Sequence, residues 1–190
     1  MTKPRPFRFG VICEQMQSAE EWITKAHQAE GYGYATVLIR DHFIREPYGD
    51  QFAPLIALMA AASATRTLRV RSLVLDNDYR HPVMLAKEAA TLDLLSDGRF
   101  ELGIGAGWLR AEYEQAGVAF ESAGARVSRL EEAIHVLKGL WADQPLTFVG
   151  NYYTVTNLHG FPKPVQQPHP PLLIGAGSKR MLALAGRESM

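Results

Sequence analysis

Residues 69–110 read RVRSLVLDNDYRHPVMLAKEAATLDLLSDGRFELGIGAGWLR, a run in which strand-like and helix-like patterns alternate across short turns. Residues 70–75 are β-rich. Pro82 suits the first turn of a helix, and Met84, Leu85, Ala89, Leu92 and Leu95 recur near helical spacing until Asp97-Gly98 stops the pattern. Residues 100–104 read as the next strand. Strand, helix and strand joined by short turns form a βαβ unit, which makes the strands parallel and leaves both following loops at the strands' carboxyl ends. The loops at 73–81 and 105–110 are therefore expected to open on one face, where α/β sheets usually carry their chemistry.

The same unit recurs along the chain. A strand at 7–12 is followed by Ser18 and Glu21 in capping-box spacing, with Trp22, Ile23, Ala26 and Ala29 on one helical face. Gly31 and Gly33 end that helix, a second strand spans 34–39, and an Ala-rich helix at 54–64 follows the loop at 40–53. A fifth strand is expected at 171–175, after an excursion over 111–170. Within it, Leu130, Ala133, Ile134, Leu137 and Trp141 share a helical face, and the remainder reads as an ordered insertion with a small hairpin around 147–155.

Composition restricts function without naming it. With 190 residues, 47% of them hydrophobic, the chain can bury a sizeable core as one domain. Twenty basic residues balance twenty acidic ones and no basic run occurs, which argues against nucleic acid or an anionic membrane as partner. No stretch has signal-peptide or membrane-span character, so the cytoplasm is the expected location. Cys13 is the only cysteine, which excludes intrachain disulfides and cysteine-cluster zinc sites, and it is expected as a packed side chain. His27 and His135 fall within amphipathic helices as surface or packing residues, His159 and His169 belong to the insertion, and His81 is placed to cap the helix at Pro82.

Five βα repeats leave two architectures open. A doubly wound sheet fits the length, whereas a (β/α)8 barrel typically needs about 250 residues. Against the open sheet, the turn after strand one, Cys13-Glu14-Gln15-Met16-Gln17, has no glycine-rich phosphate loop; the glycine loops follow strands four and five instead.

RDHF at 40–43, LVLDNDYRHP at 73–82, DLLSDGRFELGIGAGW ending at Trp108, Glu112-Tyr113, PKPVQQPHPPLLIGAGS at 162–178 and LAGR at 184–187 together resemble the luciferase-like flavin-dependent oxidoreductases. Within them the chain is most similar to the group that uses the deazaflavin coenzyme F-420. The resemblance runs from about residue 7 to 187. It implies a (β/α)8 TIM barrel of which this chain holds the first five βα units plus an insertion at about 143–170, as one partial-barrel domain without strands six to eight. It further implies oxidoreductase activity on a small organic molecule, F-420 or alternatively FMN as cofactor, and homodimers, for which the helices of units two and three offer a surface. A cofactor-binding or inactive fragment is the reading from another class.

The resemblance assigns roles that the residues suit chemically. Asp41-His42 directly follow strand two, so an imidazole able to move a proton near neutral pH stands at the barrel mouth; similar enzymes place this histidine against the deazaflavin ring. Similar enzymes also have a non-prolyl cis peptide at Leu73-Val74 that supports the ring, with Asn77 in reach of a ring carbonyl or ribityl hydroxyl. The Asp-Asn-Asp run at 76–78 reads as turn chemistry and no metal is expected. Gly105, Ala106 and Gly107 let backbone approach a cofactor closely, and Trp108 replaces the catalytic glutamate of similar sugar-phosphate dehydrogenases, leaving an apolar wall for the substrate pocket. Gly175, Ala176, Gly177 and Ser178 open a helix where exposed amides, with Lys179 and Arg180 beside them, suit the cofactor phosphate.

Overall fold

A computed structural model describes residues 7–189. Five parallel strands run side by side: β1 Gly10–Ile12, β2 Thr36–Ile39, β3 Arg69–Ser72, β5 Phe100–Gly105 and β8 Leu172–Ile174, with β4 Leu75–Asp76 extending the line of β3 along β5. In-register pairs include Val11 with Val37, Val37 with Val70, Val70 with Phe100 and Leu102 with Leu172. Each strand is followed by a helix on the outside: α1 Ala19–Gly31, α2 Pro54–Ala64, α3 Pro82–Leu95, then α4 Arg110–Ala116 with the long α5 Ala123–Trp141, and finally α6 Lys179–Glu188. The hairpin lies at β6 Leu146–Val149 and β7 Thr154–Leu158, around its expected place, with the second strand running on to Leu158.

Local chemistry sets the boundaries. Ser18 accepts the Glu21 N–H at 3.1 Å as the box requires, but the Glu21 carboxylate returns to the N–H of Gln17 instead of that of the cap residue. His81 Nδ1 accepts the Val83 N–H at 3.3 Å, so this histidine caps α3 as the sequence suggested. Asp97 and Gly98 both take positive φ, which ends α3 and returns the chain to β5. The expected strand at 70–75 is broken: β3 pairs with β2 and β5, β4 pairs only with β5, and between them the Leu73–Val74 peptide is cis.

The core lies between the sheet and the helices. Trp22, Val37, Ile39, Leu58, Val70, Leu85, Phe100, Leu102, Ile104, Leu130 and Leu137 are buried there, and Cys13 packs among them with its thiol pushed up by burial. The opposite face of β3 is polar, because side chains alternate along a strand. Arg69, Arg71 and Arg8 converge there on buried Glu101, whose carboxyl is held down by the two β3 guanidinium groups despite its burial.

Carboxylates that collect backbone N–H groups fasten the loops. Glu30 accepts from residues 66, 67 and 68, Asp93 from 165 and 166, and Glu132 from 151, 152 and 153. A carboxylate has no donor of its own, so several converging N–H groups are satisfied by one side chain. In this way α3 and α5 hold an insertion that has little regular structure of its own. Among the described residues no helix is long and apolar enough to cross a membrane.

Candidate active site

The loops after β2, β4, β5 and β8 enclose a cavity of about 320 Å³ at the carboxyl ends of the strands, lined by Arg40, Asp41, His42, Leu73, Val74, Leu75, Asp76, Gly105, Gly107, Trp108, Leu109, Glu112 and Gly175. A second cavity of about 590 Å³ shares the wall formed by Val74, Gly105, Gly107, Trp108 and Gly175. It reaches the start of α6, where Tyr48, Ala106, Arg126, Gly177, Ser178 and Met181 also line it. The loops at 73–81 and 105–110 therefore do open on one face.

His42 stands in the cavity wall with one ring nitrogen bonded to a buried carboxylate. Its Nδ1 lies 2.9 Å from Glu112 Oε2, and no partner engages Nε2 among the described residues. Glu112, buried on α4, also accepts the N–H groups of Phe43 at 2.6 Å and Ile44 at 3.3 Å, so one carboxylate positions both the imidazole and the loop that bears it. A carboxylate acceptor at Nδ1 selects the tautomer with its proton there and leaves Nε2 as the unprotonated nitrogen. Tyr48 lies against the ring with centroids 5.1 Å apart, and Trp108 meets it edge-on at 6.2 Å. Arg40, paired with Glu14, stacks on Tyr48 at 3.8 Å.

Asp41, expected among the cofactor-binding residues, lines the cavity with both carboxylate oxygens bonded to protein groups. Its two oxygens take a bidentate bond from Arg80, at 2.5 and 2.9 Å, and the Asp76 N–H at 2.9 Å. These bonds tie the end of β2 to the loop after β4 and leave Asp41 as part of the wall. Leu73 and Val74 line the cavity on either side of the cis bond.

The glycines are required by neighbouring protein atoms. A methyl group at Gly105 or Gly175 would stand 2.9 Å from Val74 Cγ2, so both strand ends are glycine because the Val74 side chain occupies the space between them. Gly107 has φ +70°, and a Cβ there would overlap the Tyr113 hydroxyl and Asp76 Oδ2. Gly177, by contrast, has nothing within 4 Å of a built Cβ and lies on the open side of the second cavity.

The loop at 175–178, expected to hold a phosphate, is arranged differently from the expectation at one neighbour. Ser178 caps α6 by accepting the Met181 N–H at 3.3 Å, and the α6 N-terminus does face the cavity. Arg180 does not: its guanidinium bonds Ser128 and Glu131 at 2.9 and 2.6 Å, held by the opposite charge on α5. The guanidinium that lines the second cavity is instead Arg126, on the buried face of α5. It donates to the carbonyls of Ala106 at 3.0 Å, Gly107 at 3.4 Å and Glu121, lies 3.9 Å from the Phe120 ring centre and forms no ion pair among the described residues. A buried guanidinium that lines the same cavity as a helix N-terminus gives that cavity a positive wall, which suits an anion.

Two expected residues stand apart from the cavity walls. Ala176 is exposed between Gly175 and Gly177. Asn77 opens a 3-10 turn that directs it inward, where its amide donates to the Tyr153 hydroxyl at 3.4 Å. Glu112, Arg126 and Tyr48 were given no role from sequence. The helix bearing Glu112 is too short to show periodicity, but Arg126 left a trace as a charged residue in the apolar register of Leu130, Ala133 and Leu137.

An F-420-dependent glucose-6-phosphate dehydrogenase of Kineococcus radiotolerans is 34% identical over 98% of this chain and 56% of its own length. An FMNH2-dependent dimethylsulfone monooxygenase of Pseudomonas putida is 28% identical over 95% of this chain and 51% of its length. The solved structure of an F-420-dependent secondary alcohol dehydrogenase bound to an F-420–acetone adduct superposes with a TM-score of 0.86 at 26% identity, over 96% of this chain and 56% of that one. The chain thus spans about half the length of the relatives it matches, and its five strands form part of the TIM barrel they share. Because the sequence profile of the luciferase-like monooxygenases also matches residues 6–190, the chain belongs to that family.

Proposed function

We propose that this chain supplies the cofactor-facing part of an oxidoreductase that transfers hydride between reduced coenzyme F-420 and a small organic substrate, with His42 moving the accompanying proton. The observation that carries the reading is the His42–Glu112 pair: an imidazole oriented through Nδ1, with Nε2 free, in the wall of the cavity. The bound deazaflavin would supply hydride chemistry. Val74 and the strand-end glycines would support its ring system, and Gly177, Ser178 and the Arg126 guanidinium suit its phosphate. Trp108 and Tyr48 would narrow the space around His42 and exclude water from it. Glu112, by holding Nδ1, keeps Nε2 directed for transfer to or from a substrate oxygen.

An FMN-dependent monooxygenase is the second reading, favoured by the likeness to the dimethylsulfone enzyme. The reading extends to a cytoplasmic homodimer joined through α2 and α3, where Ile56, Met84 and Leu95 are 76%, 55% and 60% exposed. Fluorescence titration with F-420 and with FMN, alongside light scattering, tests these assignments. Saturable binding of F-420 alone is expected. FMN preference would move the assignment to the monooxygenase, and binding of neither would favour a fragment whose β1 and β8 edges lack neighbours among the described strands.

A further inference from the structure

The cavity wall holds a second titratable group that the reaction above leaves unused. Asp76 ends β4, is 8% exposed and lines the cavity. One of its oxygens accepts the Asp78 N–H at 2.9 Å, and the other accepts the Tyr113 hydroxyl at 2.7 Å. The same hydroxyl lies 3.2 Å from Asp78 Oδ2. Two carboxylates thus compete for one hydroxyl proton on a fully buried tyrosine. Asp78 is tied in turn to Arg129, and Arg129 to Glu121, whose side chain is 41% exposed.

We infer that Asp76 is a second proton-carrying group of the cavity, exchanging a proton with a bound ligand, and that the Tyr113 hydroxyl swings from Asp76 to Asp78 when Asp76 is protonated. The inference rests on the oxidoreductase reading for the ligand alone. On proton release the Asp76 O–H bond breaks, the proton goes to the ligand, the carboxylate keeps the electron pair, and Tyr113 again donates to it. Uptake runs in reverse, with the proton returning from ligand or water. Tyr113 stays neutral throughout, because burial and the adjacent Asp76 hold its pKa far above the ordinary range. Burial likewise lifts the Asp76 carboxyl to about 6, aided by the charges of Asp78 and Asp41 and opposed by the bonds from Tyr113 and the Asp78 N–H. Arg80 holds the charge of Asp41, Arg129 that of Asp78 and His42 bonds Glu112, while the nearby Tyr79 hydroxyl is itself raised by burial.

Carboxyl and tyrosine-ring NMR signals followed between about pH 4 and 8 test the switch in the wild type and in Tyr113→Phe. The Asp76 carboxyl and Tyr113 ring should shift together with a midpoint near pH 6. Tyr113→Phe keeps the buried ring, removes a bond to the charged form, and should raise the Asp76 midpoint by about one pH unit, roughly tenfold in proton affinity. Cofactor affinity should change across that midpoint in the wild type and lose the step in Asp76→Asn. An Asp76 midpoint near 3.8 that Tyr113→Phe leaves unmoved would overturn the switch, and an unaltered affinity profile in Asp76→Asn would overturn the exchange with ligand. Failure of both F-420 and FMN to bind would sink the oxidoreductase reading, while the NMR signals decide the switch on their own.

Discussion

Gly107 and Gly177 occupy two glycine loops of the same site, and the structure separates their reasons for being glycine. At Gly107 the backbone has φ +70°, and an added methyl would overlap the Tyr113 hydroxyl and Asp76 Oδ2. Gly107→Ala therefore incurs about 1–2 kcal/mol for left-handed backbone. Displacing the Tyr113 bond to Asp76 adds about 1.5–3 kcal/mol, the usual worth of a bond to a charged group. Relaxation of the loop returns part of this, so a loss of about 3 kcal/mol is expected. With a urea m-value of about 2 kcal/mol/M, the unfolding midpoint should fall by about 1.5 M. At Gly177 nothing lies within 4 Å and φ is ordinary, so Gly177→Ala should leave stability unchanged or raise it by about 0.4–1 kcal/mol through the unfolded chain. Its effect should appear in cofactor affinity, since the methyl would project at the proposed phosphate loop. Urea unfolding of both variants, with cofactor titration of the folded ones, decides the matter. A Gly107→Ala variant within about 0.5 kcal/mol of wild type would refute the packing argument, because that is the ordinary scatter of surface substitutions.

His42→Ala should lower turnover far more than cofactor affinity, and steady-state rates beside fluorescence binding would expose the opposite pattern. Ser178→Asp keeps an N-cap acceptor for Met181 and so should leave thermal stability nearly unchanged, but like charge should weaken phosphate binding about tenfold or more; equal affinity would remove the loop from the cofactor site. Glu30 is held near 2, below its ordinary 4.5, chiefly by the Thr67 N–H together with those of Arg66 and Leu68. Its folded pKa is depressed, so its stabilisation is present above about pH 4.5 and disappears as pH falls toward 2, and Glu30→Gln should flatten the acid limb of stability measured by thermal unfolding over that window.

Periodicity carried most of the architecture. The alternation of β-rich runs with helical spacing, the proline at 82 and the turn at 97–98 locate β3, α3 and β5, and hence the face on which their loops open, because these signals depend on neighbours in the chain. The motifs around His42, Leu73, Gly105 and Gly175 likewise marked the segments that meet at the cavity. The break in the third strand was not visible in its β-rich pattern, although the family likeness pointed to the cis bond there. α4, at seven residues, was too short to announce itself, and Glu112 went unassigned with it.

Sequence alone therefore determined that parallel βα units exist, where they begin, and that the loops at residues 40–42, 73–76, 105–108 and 175–178 share one end of the sheet. Tertiary structure decided which charges meet there. Glu112 reaches His42 across 70 positions, Asp41 turns to Arg80 across 39, and Arg180 is drawn away by Glu131 while Arg126 takes its place at the cavity. Such partnerships depend on distance in space and on which ions burial leaves unpaired, and neither quantity has a period along the chain.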